Sequence, residues 1–117
     1  MIGSPNPGYF VYDDDPALEK IFQECYTGLG IPTEIRTEGD GRSDHAVQSA
    51  GIRSAGCSAV RTTRRRRRRR RSGAGRRGKR FDPCYHSSCD TTSNVNTTAL
   101  DRNADAIAYA LWGLATQ

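Results

Sequence analysis

Between Arg53 and Arg80 the sequence has no acidic residue, although 14 of the 18 lysines and arginines of the chain lie there. Charge of one sign repels itself, so this stretch is excluded from any packed core and is expected to be disordered. It also lacks aromatic residues, which removes the stacking platforms that a single-strand nucleic-acid binder uses. Nowhere does the chain approach the run of about 20 apolar residues that a membrane-spanning helix needs. The opening "MIGSPNPGYF" has neither a basic n-region nor an apolar h-region, so it is not read as a signal peptide.

Outside the basic block the balance reverses. Four basic residues face all 13 acidic ones, a net charge of −9, while the 117 residues together carry +5. The chain therefore reads as an acidic protein with a basic block inserted, and its overall charge describes neither part. Its length suffices for one small domain.

The ordered-looking sequence lies on either side of the block. Tyr9 to Tyr12 is a short β-prone run. Asp15 followed by Pro16 signals a helix start, with acidic charge at the positive helix end. Leu18, Ile21, Phe22 and Cys25 recur at helical spacing, and Gly28, Gly30 and Pro32 mark the stop. Thr33 to Arg36 resumes a strand, and this alternation predicts an α/β layered fold. Near the end, Leu100, Ile107, Ala110, Leu111 and Leu114 make an apolar stripe on an alanine-rich helix, which is expected to face the core. Asp101 and Asp105 share one face of that helix, one turn apart.

Three groups could carry chemistry. "FDPCYHSSCD", Phe81 to Asp90, gathers Tyr85 and His86 between Cys84 and Cys89. The two cysteines could close a local disulfide, which would favour a secreted protein, or remain thiols. A lone imidazole makes no metal site, since a catalytic zinc takes about three protein ligands. "GDGRSDH", Gly39 to His45, reads either as a solvated turn or as a loop lining a pocket. Asp101 and Asp105 offer hard oxygen ligands to calcium, yet two side chains fall short of its usual six to eight ligands.

The strings "MIGSPNPGYFVYDDDP", "GDGRSDHA", "FDPCYHSSCDTTSNVN" and "TALDRNADAIAYALW" resemble the carboxy-terminal half of the secreted double-zinc aminopeptidases of streptomycetes, peptidase family M-twenty-eight. The resemblance implies a partial three-layer α/β/α zinc-exopeptidase domain, split into residues 1–52 and 78–117 by a foreign segment at 53–77. It implies a secreted, monomeric enzyme that removes amino-terminal, preferably large apolar, residues from peptides with two zinc ions. By position, His86 resembles the last zinc ligand, and Tyr85 resembles the hydroxyl donor to the developing oxyanion. Arg42 resembles the residue facing the substrate's free amine, and Met1 and Gly41 resemble pocket wall. Cys84 and Cys89 resemble the family's disulfide, and Asp101 and Asp105 its calcium-binding pair.

The departures carry equal weight. The family's remaining zinc ligands and its base glutamate precede the region aligned with Met1, as do the partners of the calcium pair. The 117 residues alone are therefore expected to be inactive. Family members also have no arginine run. They carry a string resembling "GIPVGGLFSGAD", then alanines and glutamines, then "KWGG". Reading the third base of each codon with the first two of the next, from Ile52 through Thr63, permits Pro-Val-Gly-Gly-Leu-Phe-Ser-Gly-Ala-Asp-Asp. Arginine codons CGG, CGC and AGG read this way give alanine and glutamine. Residues from about Arg53 to Arg77 thus read as a frameshifted translation, Cys57 included, in place of an inner strand and apolar pocket residues. The rival reading, from another functional class, is non-specific binding of nucleic acid by Arg64 to Arg71; the acidic flanks oppose it.

Overall fold

The computed structural model describes residues 1–36, 45–60 and 79–116. Strand β1 (Phe10–Tyr12), helix α1 (Pro16–Gly28) and strand β2 (Glu34–Arg36) follow one another as the sequence predicts, with β2 beginning one residue later than expected. Asp15 caps α1 by accepting hydrogen bonds from the amides of Ala17 and Leu18 at 3.0 and 3.1 Å. Its carboxylate also pairs with the Arg53 guanidinium. That hydrogen bond and the two amides hold Asp15 well below the usual carboxylate range. At the other end Gly30 adopts φ +68°, a left-handed conformation open to glycine at no steric cost.

β1 is the central strand of a three-stranded sheet, in the order β2, β1, β3. It pairs in parallel with β2, Phe10 opposite Glu34 and Tyr12 opposite Arg36. Its other edge pairs antiparallel with β3 (Cys57–Ser58), Phe10 opposite Ser58.

β3 corrects one expectation. Residues 56–59 belong to the segment expected to be disordered, yet they lie along β1. The reason is β1's outer edge, whose backbone groups must be paired once buried. The Tyr12 amide donates to the Gly56 carbonyl at 3.1 Å, and the Gly8 amide to the Ala59 carbonyl at 2.9 Å. The arginines from Arg61 to Arg77, including Arg64 to Arg71, lie outside the described residues. Helix α2 (His45–Ser49) is a single short element that the loop reading of this region did not anticipate.

Side chains alternate across β1. Tyr9 and Val11 join Phe22, Tyr26 and Ile31 with Ala106 and Ala110 of the last helix, α3 (Thr97–Ala115). Phe10 points the other way and meets Phe81 edge-on at 5.3 Å, with Val60 beside them. The described residues thus show a mixed α/β fold whose two long helices share one face of a small sheet.

α3 presents its small residues to the core: Ala99, Asn103, Ala106 and Ala110 are buried. The predicted stripe is corrected here, because Leu100, Leu111 and Leu114 are exposed and only Ile107 and Ala110 join the core. The bulk comes from the partners. Tyr9 and Tyr26, both fully buried and 5.7 Å apart, fill the space that large residues on α3 would need. Asn103 sits among them. The Tyr26 hydroxyl donates to its Oδ1 at 2.5 Å, and its Nδ2 donates to the carbonyls of Ile2 and Ala99 at 2.8 and 2.7 Å. Asn103→Ala leaves the buried tyrosine hydroxyl and the Ile2 carbonyl without this partner. It is expected to cost about 3 kcal/mol, read as a lower urea midpoint; a loss below about 0.5 kcal/mol would show that water replaces the amide there.

Candidate active-site loop

The loop Phe81 to Asp90 is anchored before it begins. The Phe81 carbonyl accepts from the Asn6 amide at 3.0 Å and from the Ser4 hydroxyl. The Asn6 side chain donates to the Arg80 carbonyl at 2.9 Å. The amino-terminal segment therefore ties the loop to the sheet through Phe81, whose ring is buried against Phe10.

Within the loop, Cys84 and Cys89 form a disulfide with Cα atoms 5.3 Å apart. Ser87 closes the turn from inside: its amide and hydroxyl both donate to the Cys84 carbonyl, at 3.0 and 2.6 Å. Asp82, only 7% exposed, accepts from the Cys84 amide at 2.9 Å and from the Asn94 side chain at 3.0 Å. Asn94 ends a single 3₁₀ turn, Thr92–Asn94, and donates from the same nitrogen to Asp90 at 3.0 Å.

Tyr85 and His86 stand exposed at the tip of this frame, their rings 4.0 Å apart and inclined by 50°. His86 has φ +52°, a left-handed conformation uncommon for a residue with a Cβ. Such outliers persist where the surroundings over-determine them. Here a disulfide and five hydrogen bonds do so.

The other candidate residues are less gathered. Met1 is exposed, and its carbonyl accepts from the Ala59 amide at 2.8 Å, which sets it at the β3 end of the sheet. Gly41 and Arg42 lie outside the described residues. Asp101 and Asp105 are exposed on α3. Among the described residues no three histidine, cysteine, aspartate or glutamate side chains converge as a metal site would require. Alone, then, they fit neither a catalytic zinc nor a calcium ion, and His86 stands as a single imidazole donor.

Sequence reasoning missed Asp82 and Asn94. An aspartate two residues before a cysteine that opens a turn is an Asx-turn signal, and it would have identified Asp82. Asn94 leaves no comparable local mark.

The thiols Cys25 and Cys57 are not disulfide-bonded, and burial raises both above the ordinary thiol range. Protonated thiols are poor nucleophiles, so neither reads as a reactive cysteine. No helix of the described residues is long and apolar enough to cross a membrane.

Residues 1–111 match the family model described as peptidase family M28. The chain is 57% identical over 115 residues to leupeptin-inactivating enzyme 1 of Streptomyces exfoliatus, covering 97% of this chain and 26% of that protein. It is 35% identical over 122 residues to an aminopeptidase of Pseudomonas aeruginosa, covering 93% and 23%. It is 33% identical over 128 residues to leucine aminopeptidase 2 of Trichophyton rubrum, covering 95% and 25%. The chain thus spans about a quarter of the length of these relatives.

Cross-linking a six-residue loop is worth about 2 kcal/mol by the loop-entropy relation. Cys84→Ser with Cys89→Ser is expected to lower the unfolding free energy in urea by about that amount, and reductant should do the same to the unaltered chain. If neither has an effect, the hydrogen bonds alone hold the loop.

Proposed function

Because the chain belongs to peptidase family M28, we propose that it forms part of the catalytic domain of a secreted metallo-aminopeptidase that hydrolyses amino-terminal, preferably large apolar, residues from peptides. The observation that carries this reading is the pairing of Tyr85 with His86 at the exposed tip of a braced loop, inside a match that runs through residues 1–111. Two of the relatives are themselves named aminopeptidases.

In this reading the Tyr85 hydroxyl donates to the oxygen that gains negative charge as the scissile carbonyl becomes tetrahedral. A donor held in place before reaction spends nothing on reorientation. Met1, Gly41 and Arg42 form the pocket, with Arg42 near the substrate's free amino group. His86 offers one ligand to zinc, and the remaining ligands lie in the part of the relatives' length that these 117 residues do not span. Bound zinc would supply Lewis-acid chemistry at the carbonyl and the attacking water. The 117 residues alone are inactive in this reading. Asp101 and Asp105 are the calcium pair, again completed from elsewhere, and the third layer of the α/β/α domain has the same origin.

The reading extends to the basic segment, which we take as translation in a shifted frame from about Arg53 to Arg77. Its support is a groove of about 420 Å³ between α1, α3 and the stretch before β3, lined by Phe22, Ile107, Leu111 and Leu114 but faced by Ser54, Ala55, Gly56 and Cys57. The restored frame carries valine and leucine in that stretch, side chains suited to such a groove. Resequencing the source DNA is expected to find one extra base after the codon for Ile52, relative to the frame that encodes these 117 residues. A confirmed frame would end this proposal and make the arginine block a real segment, its nucleic-acid binding then open to a salt titration.

A polypeptide joining this chain, with the family-like frame restored over about residues 53–77, to the preceding part of the domain is expected to hydrolyse leucine p-nitroanilide, to lose activity to a chelator and to regain it with zinc. In it, Tyr85→Phe should lower kcat about 10²-fold to 10³-fold with KM changed less than about twofold. An unaltered kcat removes the oxyanion role, and turnover that survives chelation removes the zinc reading.

A further inference from the structure

We infer that Asn94 is a positioning residue for Tyr85 and His86, acting as a clamp across the base of their loop; the catalytic consequence rests on the function proposed above, the clamp itself does not. The two carboxylates it joins flank the disulfide. Asp82 lies two residues before Cys84, and Asp90 follows Cys89 directly. Each accepts a hydrogen bond of 3.0 Å from the same Asn94 nitrogen, so the two oxygens are no more than about twice that distance apart. Ionised carboxylates only accept hydrogen bonds, whereas an amide nitrogen has two to give. Without the amide, two like charges would face each other across the loop base, one of them on the buried Asp82. With it, repulsion becomes a bridge.

The bridge closes a second ring outside the disulfide ring. The inner ring runs from Cys84 to Cys89 through the sulfur atoms. The outer one runs from Asp82 to Asp90 through Asn94. Both enclose His86, and a left-handed residue held by two nested closures has little freedom to relax to negative φ. Asp82 couples the rings, since the oxygen that receives Asn94 also receives the Cys84 amide. Asn94 itself is set by its own turn, its amide donating to the Thr91 carbonyl at 2.9 Å.

The test uses the oxidised 117-residue chain and proton NMR. The unaltered chain should show nuclear Overhauser contacts between the Tyr85 and His86 rings and a ring-current shift on the imidazole protons. Asn94→Asp, which sets a third acceptor among two, and Asn94→Ala should abolish those contacts while the Tyr26 ring signals of the core persist. Asp90→Ala, a change at an exposed position, tests the same bridge from its other end should the Asn94 variants unfold. Ser93→Ala, in the same turn but bonded to Thr91, should leave the contacts intact. Exchanging donors and acceptors throughout, with D82N, D90N and N94D together, should restore them. Ring contacts that survive in Asn94→Asp or Asp90→Ala overturn the clamp.

In the joined, active polypeptide, Asn94→Ala should lower kcat at least about 10-fold with little change in KM, as expected when reacting groups are displaced by a fraction of an ångström. Lost ring contacts with undiminished kcat would leave the clamp standing and sink the catalytic role of the loop.

Discussion

The described residues depend on one buried amide. Asn103 receives the Tyr26 hydroxyl from α1, returns a hydrogen bond to its own helix, and reaches the Ile2 carbonyl in the amino-terminal segment. Three pieces of chain far apart in sequence meet at a side chain with no solvent exposure. A buried polar group is costly unless every partner is present, so this amide selects one mutual arrangement of α1, α3 and the first residues of the chain. That arrangement governs the loop, because Ser4 and Asn6, a few residues beyond Ile2, hold its first carbonyls.

Electrostatics and burial divide the labour between two regions. The core around Tyr9, Tyr26 and Ala106 is held by packing and one neutral network. The loop has little apolar burial beyond Phe81, and it is held by a covalent bond and hydrogen bonds to carboxylates. A surface loop has no core to confine it, so directional bonds must take over. Tyr85 and His86 gain solvent access without losing definition, which suits groups that meet a substrate.

Much of the βαβ unit was legible in the sequence because its signals are local. Asp15 and Pro16 announce α1, and Gly28 and Gly30 end it, through effects that act within one helical turn. The loop that carries Tyr85 and His86 was legible from its own residues, whereas the roles expected of the two side chains came only through resemblance to a known family. What could not be read is non-local. Leu111 and Leu114 have the hydrophobicity of core residues, yet they line an open groove faced by the small residues Ser54, Ala55 and Gly56, more than 50 positions earlier in the chain. β3 was hidden by the charge of the arginines after it, although its own residues are small and uncharged and meet an unpaired strand edge.

The close approach of α3 has a consequence for how this chain can drift in sequence. Ala106 and Ala110 lie where the aromatic rings leave room for a methyl group, so enlargement at these positions acts through volume alone and is felt at once in so dense an interior. Among the described residues the opposite side of the same helix is less constrained by size: Trp112 is 73% exposed there, so a helix-forming replacement changes little of this packing. Mutational tolerance along α3 therefore runs against hydrophobicity, and the residues least free to vary are its plainest ones.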